Sequence, residues 1–300
     1  MNEDAPAYPP PKANYQQNYT YPQPPPSPAQ PQSISDGVTN VGKASKFRTC
    51  MDKIGEPLNK LSNKLGSEAF WPTSMDKECN KAARILASFC KDQSSNEQAY
   101  HADEGPKEKP KVLIKIPQKI IQNAVGLAIF TTMRTGMGFS TSGGAGVLIG
   151  RLGDGSWSPP SGIHVQTVGL GWMAGLDVYD CVVVINSYKA LEAFQRVRVT
   201  LGGEISVVAG PFGVGGILES NADFRKGKYH EPVFTYVKSR GLYAGVQIDG
   251  TIIIERNNEN ARFYGEEVRV QQILAGQVRN VPLSASLLIQ MIRKIESALP

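Results

Sequence analysis

Gly169-Leu170-Gly171-Trp172-Met173-Ala174 has the spacing of a dinucleotide-binding fingerprint, in which glycines let a backbone cradle a pyrophosphate where a helix begins. That chemistry needs a strand before the motif and a helix after it. Here the next residues, Gly175-Leu176-Asp177-Val178, read as strand and turn, so the match is expected to be incidental. Neither Thr141 to Gly146 nor Gly210 to Gly216 ends in the Gly-Lys-Ser/Thr of a phosphate-binding P-loop. The glycines then have an architectural reading, because within strands they permit bulges, sharp coiling and close backbone approach.

Nucleophilic and metal chemistry fare no better. No Gly-x-Ser-x-Gly elbow occurs, and the 3 histidines, His101, His164 and His230, lie far apart without local acidic or cysteine partners. His164, in an expected strand, reads as an ordinary structural residue. The 4 cysteines, Cys50, Cys79, Cys90 and Cys181, show neither C-x-x-C nor finger-like spacing, which argues against structural zinc and against a disulfide framework. No charged-then-apolar leader precedes Asp4. The expectation is a cytoplasmic, non-enzymatic chain with no metal and no cofactor.

Charge is the remaining signal. A formal net charge of +5 favours an anionic partner surface without identifying it. After Trp71-Pro72-Thr73, Ser74 is a reasonable N-cap, Asp76 falls in the first turn near the positive end of the dipole, and Lys91 closes a helix. At about 100° per residue, Met75, Cys79, Ala82, Leu86, Phe89 and Cys90 gather on one side. Lys77, Lys81, Arg84 and Lys91 stack opposite. Full insertion into a bilayer would aim these cations away from lipid. The preferred arrangement packs the apolar face on the domain and turns the basic stripe to lipid headgroups or actin, although a merely solvated basic face explains the residues equally well. A second basic segment carries Lys43, Lys46, Arg48, Lys53, Lys60 and Lys64 as accessory contacts, against Asp52 and Glu56. Its apolar positions Phe47, Met51, Ile54, Leu58, Leu61 and Leu65 have helical spacing, and Pro57 leaves one kinked helix or two short ones open. No basic-aromatic array suggests nucleic acid.

The elements that must position these cations follow from texture. Residues 1–36 are rich in Pro, Gln, Tyr, Asn and Ser and read as a disordered tail. Its Pro-x-x-Pro spacings could engage SH3-domain proteins, but no cation flanks them, so a plain solvated tail fits better. Residues 37–69 form the basic amphipathic segment and 70–300 the domain, with a polar loop from Gln93 to Lys109. A short helix is expected over Ile116–Ala124 with Pro117 in its first turn and Gly126 as its stop. Strands are expected near Leu127–Arg134, Ala145–Arg151, Gly162–Leu176, Cys181–Asn186, Glu204–Ala209, Phe234–Lys238, Leu242–Ile248 and Thr251–Glu255. Turns are expected at Gly153-Asp154-Gly155 and Asp249-Gly250. Helices are expected at Ser187–Phe194, Val270–Leu274 and Leu283–Leu299, the last packing on the sheet through Leu287, Leu288, Met291, Ile292, Ile295 and Leu299. The pattern predicts an α+β fold with a Gly-rich, mainly antiparallel, strongly twisted or barrel-like sheet and peripheral helices. No apolar run has the roughly 18 to 20 residues of a membrane-spanning helix.

The order of several segments adds a family resemblance. Trp71-Pro72, Glu78-Cys79-Asn80-Lys81-Ala82-Ala83-Arg84-Ile85-Leu86, Asn123-Ala124-Val125-Gly126-Leu127-Ala128, Gly155-Ser156-Trp157-Ser158-Pro159-Pro160-Ser161, Ser206-Val207-Val208-Ala209-Gly210-Pro211, Lys238-Ser239-Arg240-Gly241-Leu242-Tyr243 and Phe263-Tyr264-Gly265 succeed one another. Together they resemble the SYLF domain, the Ysc84-type actin-binding domain, over roughly residues 70–280. The resemblance implies phosphoinositide binding, with the basic helix at the domain's start as a principal determinant, and in fungal members actin filament binding or bundling during endocytosis. By position that helix is Ser74 to Lys91. It further implies a peripheral adaptor at the plasma membrane, cortical actin sites or endosomes, the alternative being an actin filament binding or bundling protein without specific lipid recognition. The SH3 domain of fungal relatives and the FYVE finger of plant relatives find no match in this sequence, so recruitment through those modules is not expected.

Overall fold

The computed structural model describes residues 53, 55–64, 66–90, 115–195, 198–210, 212–219 and 233–297. The chain divides into Met1–Ser45 and Lys46–Pro300, and every described residue lies in the second unit. The expected tail, the cations Lys43, Lys46, Arg48 and Lys91, and the 93–109 loop fall outside the described residues.

Five strands, β1 (Gly126–Gly150), β2 (Ser161–Ile185), β3 (Arg198–Gly210), β4 (Phe212–Glu219) and β5 (Val233–Glu255), form one sheet in the order β1-β2-β5-β3-β4. Every pairing is antiparallel. The helices are α1 (55–64), α2 (Met75–Cys90), α3 (Gln118–Asn123), α4 (Tyr188–Phe194), α5 (Asn257–Tyr264), α6 (Val270–Leu274) and α7 (Leu283–Ser297). The fold is therefore α+β with an antiparallel sheet, as expected, and the sheet is open, with β1 and β4 at its edges.

Several expected strands are pieces of longer ones. Leu127–Arg134 and Ala145–Arg151 belong to β1, while Phe234–Lys238, Leu242–Ile248 and Thr251–Glu255 all belong to β5. Asp249-Gly250 is consequently not a turn. Gly250 pairs with Val168 on one side and Leu201 on the other, and two flanking ladders hold this dipeptide extended against its local preference. Gly153-Asp154-Gly155 does turn the chain between β1 and β2. Its Asp154 carboxylate accepts from the Ser156 amide and hydroxyl, and Gly155 has φ +83°. The glycine fingerprint at 169–174 lies inside β2, which runs on as strand to Ile185.

The long strands bend sharply rather than run straight. β1 shifts register between Met137 and Phe139, and Gly241 of β5 stands opposite Asp177 of β2 at φ +157°, where a Cβ would lie 2.2 Å from the Leu176 carbonyl oxygen. The bend returns β1 upon itself. A Cβ at Gly144 or Gly146 would sit 2.0 Å from the carbonyl oxygen of Thr131 or Ile129, so only glycine admits this backbone approach.

Alternation along the strands feeds two cores. Leu127, Ile129, Val147, Ile149, Val182 and Val184 pack with α2, α3 and α7, whereas Ala128, Phe130, Leu148, Ile163, Val183 and Ile185 pack with α4 and α6. α7 buries Leu288, Met291, Ile292 and Ile295 as expected. It packs mainly on α2 and α3 rather than directly on the sheet. α2 is thus a middle layer between β1 and α7. The α3 helix starts two residues later than expected, with Pro117 as N-cap, and Ser187 caps α4 by accepting from the Ala190 amide. β4 and α5 were not expected from sequence.

Candidate functional site

α2 was expected to present a basic stripe, and the fold divides that stripe. Lys77 is exposed. Lys81 is 2% exposed, which corrects its expected place on a solvent face. Its ammonium lies 2.6 Å from Glu78 Oε2 and donates to the carbonyls of Ala69 (2.9 Å) and Ala145 (3.0 Å). All its donors are thus engaged inside the protein. Glu78 reaches back over the helix start, where its Oε1 accepts from the Thr73 amide and hydroxyl, each at 2.8 Å, and Arg256 stands 3.6 Å away. Burial by itself would raise the Glu78 pKa, but Lys81 and Arg256 outweigh it and hold the carboxyl below its ordinary value.

Arg84 is also drawn inward. Its Nε and Nη2 donate to the two oxygens of Glu68, each at 2.8 Å, in a bidentate pair. Glu68 comes from residues 66–73, the connection between α1 and α2. Desolvation raises its pKa despite the Arg84 contact. The same connection is tied to the sheet through Ser67, whose hydroxyl donates to the Val178 carbonyl (3.2 Å) and accepts from Arg240 Nη1 (3.2 Å).

Behind Glu68 lies an ionic array that sequence reasoning missed. Asp177 and Asp180 of β2 are fully buried beside Lys238, Ser239 and Arg240 of β5, with Asp180 paired to Lys238 and Asp177 to Gly241 in the ladder. Asp180 accepts from Thr131 Oγ1 (2.8 Å) and lies 3.3 Å from Lys238 Nζ and 3.8 Å from Arg240 Nη1. Asp177 accepts from the Arg134 guanidinium (3.0 Å), the Arg240 amide (2.9 Å) and the Ser239 hydroxyl. Lys238 also donates to Ser88 of α2 (2.8 Å), and burial lowers its pKa against the opposing pull of Asp180. The available signal was charge within otherwise apolar strands, Asp177 and Asp180 on one and Lys238 and Arg240 on the other.

Exposed cations also cluster on α1 and at Lys53 just before it. Lys53, Glu56, Pro57, Lys60, Leu61 and Lys64 are all exposed at spacings of three and four, and so share one helical face. Lys60 pairs with Glu56 at 2.7 Å. Leu61, expected on the buried face, is 55% exposed. The inner side instead carries Gly55, beside the Trp71 ring, buried Ser62, and Asn59, which exchanges hydrogen bonds with the Trp71 backbone. Pro57 lies within this helix rather than dividing it.

Other reactive types are held inert. Cys79 is fully buried and its thiol pKa is pushed well up, while burial pushes Cys90 up to about 12, so both are protonated at neutral pH. Burial lowers the pKa of His164, whose charged neighbours are Arg256 and Glu78. Among the described residues no group of three His, Cys, Asp or Glu side chains is placed to hold a metal, and no helix is long and apolar enough to cross a membrane.

Residues 166–295 match the Ysc84 family model, described as Las17-binding protein actin regulator. The chain is 40% identical over 212 residues to LAS seventeen-binding protein 3 of Saccharomyces cerevisiae, covering 70% of this chain and 42% of that protein. It is 38% identical over 218 residues to Protein YSC84 of the same yeast, covering 72% and 43%. It is 38% identical over 206 residues to SH3 domain-containing YSC84-like protein 1 of Homo sapiens, covering 68% and 55%. The chain spans about half the length of these relatives. No solved structure matches it. The chain thus carries a Ysc84-type, or SYLF, domain and is similar over about two thirds of its length to proteins of that group.

Proposed function

We propose that this chain is a non-enzymatic, actin-linked adaptor that docks peripherally on phosphoinositide-containing membranes, at the plasma membrane, cortical actin sites or endosomes. The observation that carries the reading is the outer face of α1 with Lys53 just before it, where Lys60 and Lys64 flank an exposed Leu61. Such a face can lay one apolar side chain into the headgroup boundary while its lysines extend to anionic lipid. Lys77 adds to the same electrostatic environment, since it acts on Glu56 of α1. The actin link rests on relatives described as Las17-binding and as an actin regulator. Binding of actin filaments without specific lipid recognition is the second reading, and it is favoured by that same description. The Pro-rich tail, with its Pro-x-x-Pro spacings, is proposed as a ligand for SH3-domain proteins.

Co-sedimentation tests both readings. Wild type should pellet with phosphoinositide vesicles at moderate salt, and the Lys53→Glu, Lys60→Glu, Lys64→Glu triple variant should lose most of that binding. Equal pelleting of the two proteins would remove α1 as the contact. Pelleting with actin filaments and not with vesicles would select the second reading.

A further inference from the structure

Arg84 binds a carboxylate from another element, Glu68, whose neighbour Ser67 accepts from Arg240, and Arg240 shares Asp180 with Lys238. Glu68 contacts Arg84 directly and lies close enough to Lys238 and Arg240 to act on both. A bidentate guanidinium–carboxylate pair has the geometry by which arginine also binds phosphate. Lys238 and Arg240 are also engaged by the two carboxylates of β2. Asp180 is shared among Lys238, Arg240 and Thr131, and Asp177 is bound by Arg134, Ser239 and the Arg240 amide.

The segment that supplies Glu68 is attached differently from the rest of the domain. Each hydrophobic cluster of the described core begins at Met75 or later, and none contains a residue of α1 or of 66–73. Phe70 is the one buried apolar side chain there among the described residues. The anchors are polar: Glu68 to Arg84, Ser67 to Val178 and Arg240, Lys81 to the Ala69 carbonyl, and Thr73 to Glu78 and Arg256. Segments with few apolar contacts open at lower free energy than a packed core.

We propose that α1 and residues 66–73 form a removable strap over a cryptic oxyanion site made by Arg84, Lys238 and Arg240, and that a phosphorylated lipid headgroup opens it by displacing Glu68 from Arg84. The inference rests on the membrane reading above and adds its regulation. The lysines of α1 bring the strap to the anionic surface, and the headgroup takes the place of the strap's own carboxylate. The site is closed in solution and opens where phosphate is dense.

Two variants loosen the strap by different means. Ser67→Ala removes two anchors without changing charge, and Glu68→Gln weakens the pair with Arg84. Hydrogen exchange of residues 55–73 and vesicle co-sedimentation are measured on the full chain, with Glu68→Gln guarding against misfolding of Ser67→Ala. Both variants should exchange faster across the strap. Each should bind phosphoinositide vesicles about fivefold more tightly, since apparent affinity follows the open fraction. Strap exchange in the wild type should rise when those vesicles are added and stay unchanged with phosphatidylcholine vesicles. Wild-type binding with unchanged strap exchange, or faster exchange in the variants without tighter binding, overturns the strap and leaves the membrane reading intact. Failure of all three proteins to bind any phosphoinositide vesicle overturns the membrane reading and the strap with it. If millimolar inorganic phosphate alone opens the strap as fully as vesicles do, the ligand is a soluble phosphate and the lipid form of the proposal is overturned.

Discussion

Two ion pairs leave α2 one turn apart. Glu78–Lys81 is sealed, with side-chain exposures of 0% and 2%, and is closed by backbone carbonyls of two other segments. Glu68–Arg84 sits nearer the surface, at 5% and 14%, and joins the helix to the connection before it. The first holds the layers of the domain together. The second fastens the connection between α1 and α2, where Phe70 is the one buried apolar side chain among the described residues. The same residue types therefore do different work according to what lies on their far side, and the pKa directions agree: Glu78 is held down by two cations, while Glu68 is raised by desolvation.

Breaking the inner pair should have the largest effect. Lys81→Ala leaves the Glu78 carboxylate buried beside Arg256 alone and two carbonyls without their donor, at a cost of about 3–5 kcal/mol in urea unfolding. Arg84→Ala should cost about 2 kcal/mol, because its partner lies closer to water. A cost for Arg84→Ala equal to that of Lys81→Ala would abolish the distinction.

Acid titration sharpens the comparison further. The lowered Glu78 pKa means that its stabilisation is complete above the ordinary carboxylate range and is lost as pH falls through the folded value. The raised Glu68 pKa has the opposite sign. Its ionisation costs stability as pH rises through the folded value, and that cost is absent below the ordinary one. Urea unfolding of Glu78→Gln and Glu68→Gln against wild type, between about pH 3 and 7, should give differences that change with pH in opposite directions. Parallel profiles would show that both carboxylates share one environment. The exposed Glu56–Lys60 pair sets the lower bound: Lys60→Ala should leave the unfolding midpoint unchanged within error.

Much of the fold could be read from the chain because its local signals agree with its tertiary ones. The apolar spacing of α7 and the turn at Gly153–Gly155 were readable for that reason. Other elements depend on partners remote in sequence. Asp249-Gly250 is a hairpin signal overridden by neighbours on both sides of β5. The polar helix α5 has little apolar rhythm and is fixed by Asn260 bonding Gly162 and Ser161, and by Tyr264 donating to the Pro160 carbonyl.

The sequence by itself determined the SYLF resemblance, the α+β class, the inventory of cations and the two helices that carry them. It also determined that glycine is architectural, since no helix or lysine follows the glycine runs in the order that phosphate binding requires. Only the tertiary structure decided which cations face water. A helical wheel describes one helix alone, whereas α2 lies between β1 and α7 with residues 66–73 across its start. Burial of a charge depends on these neighbours, and it turned Lys81 into an internal tie, gave Arg84 to Glu68, and left Lys77 and the outer face of α1 exposed.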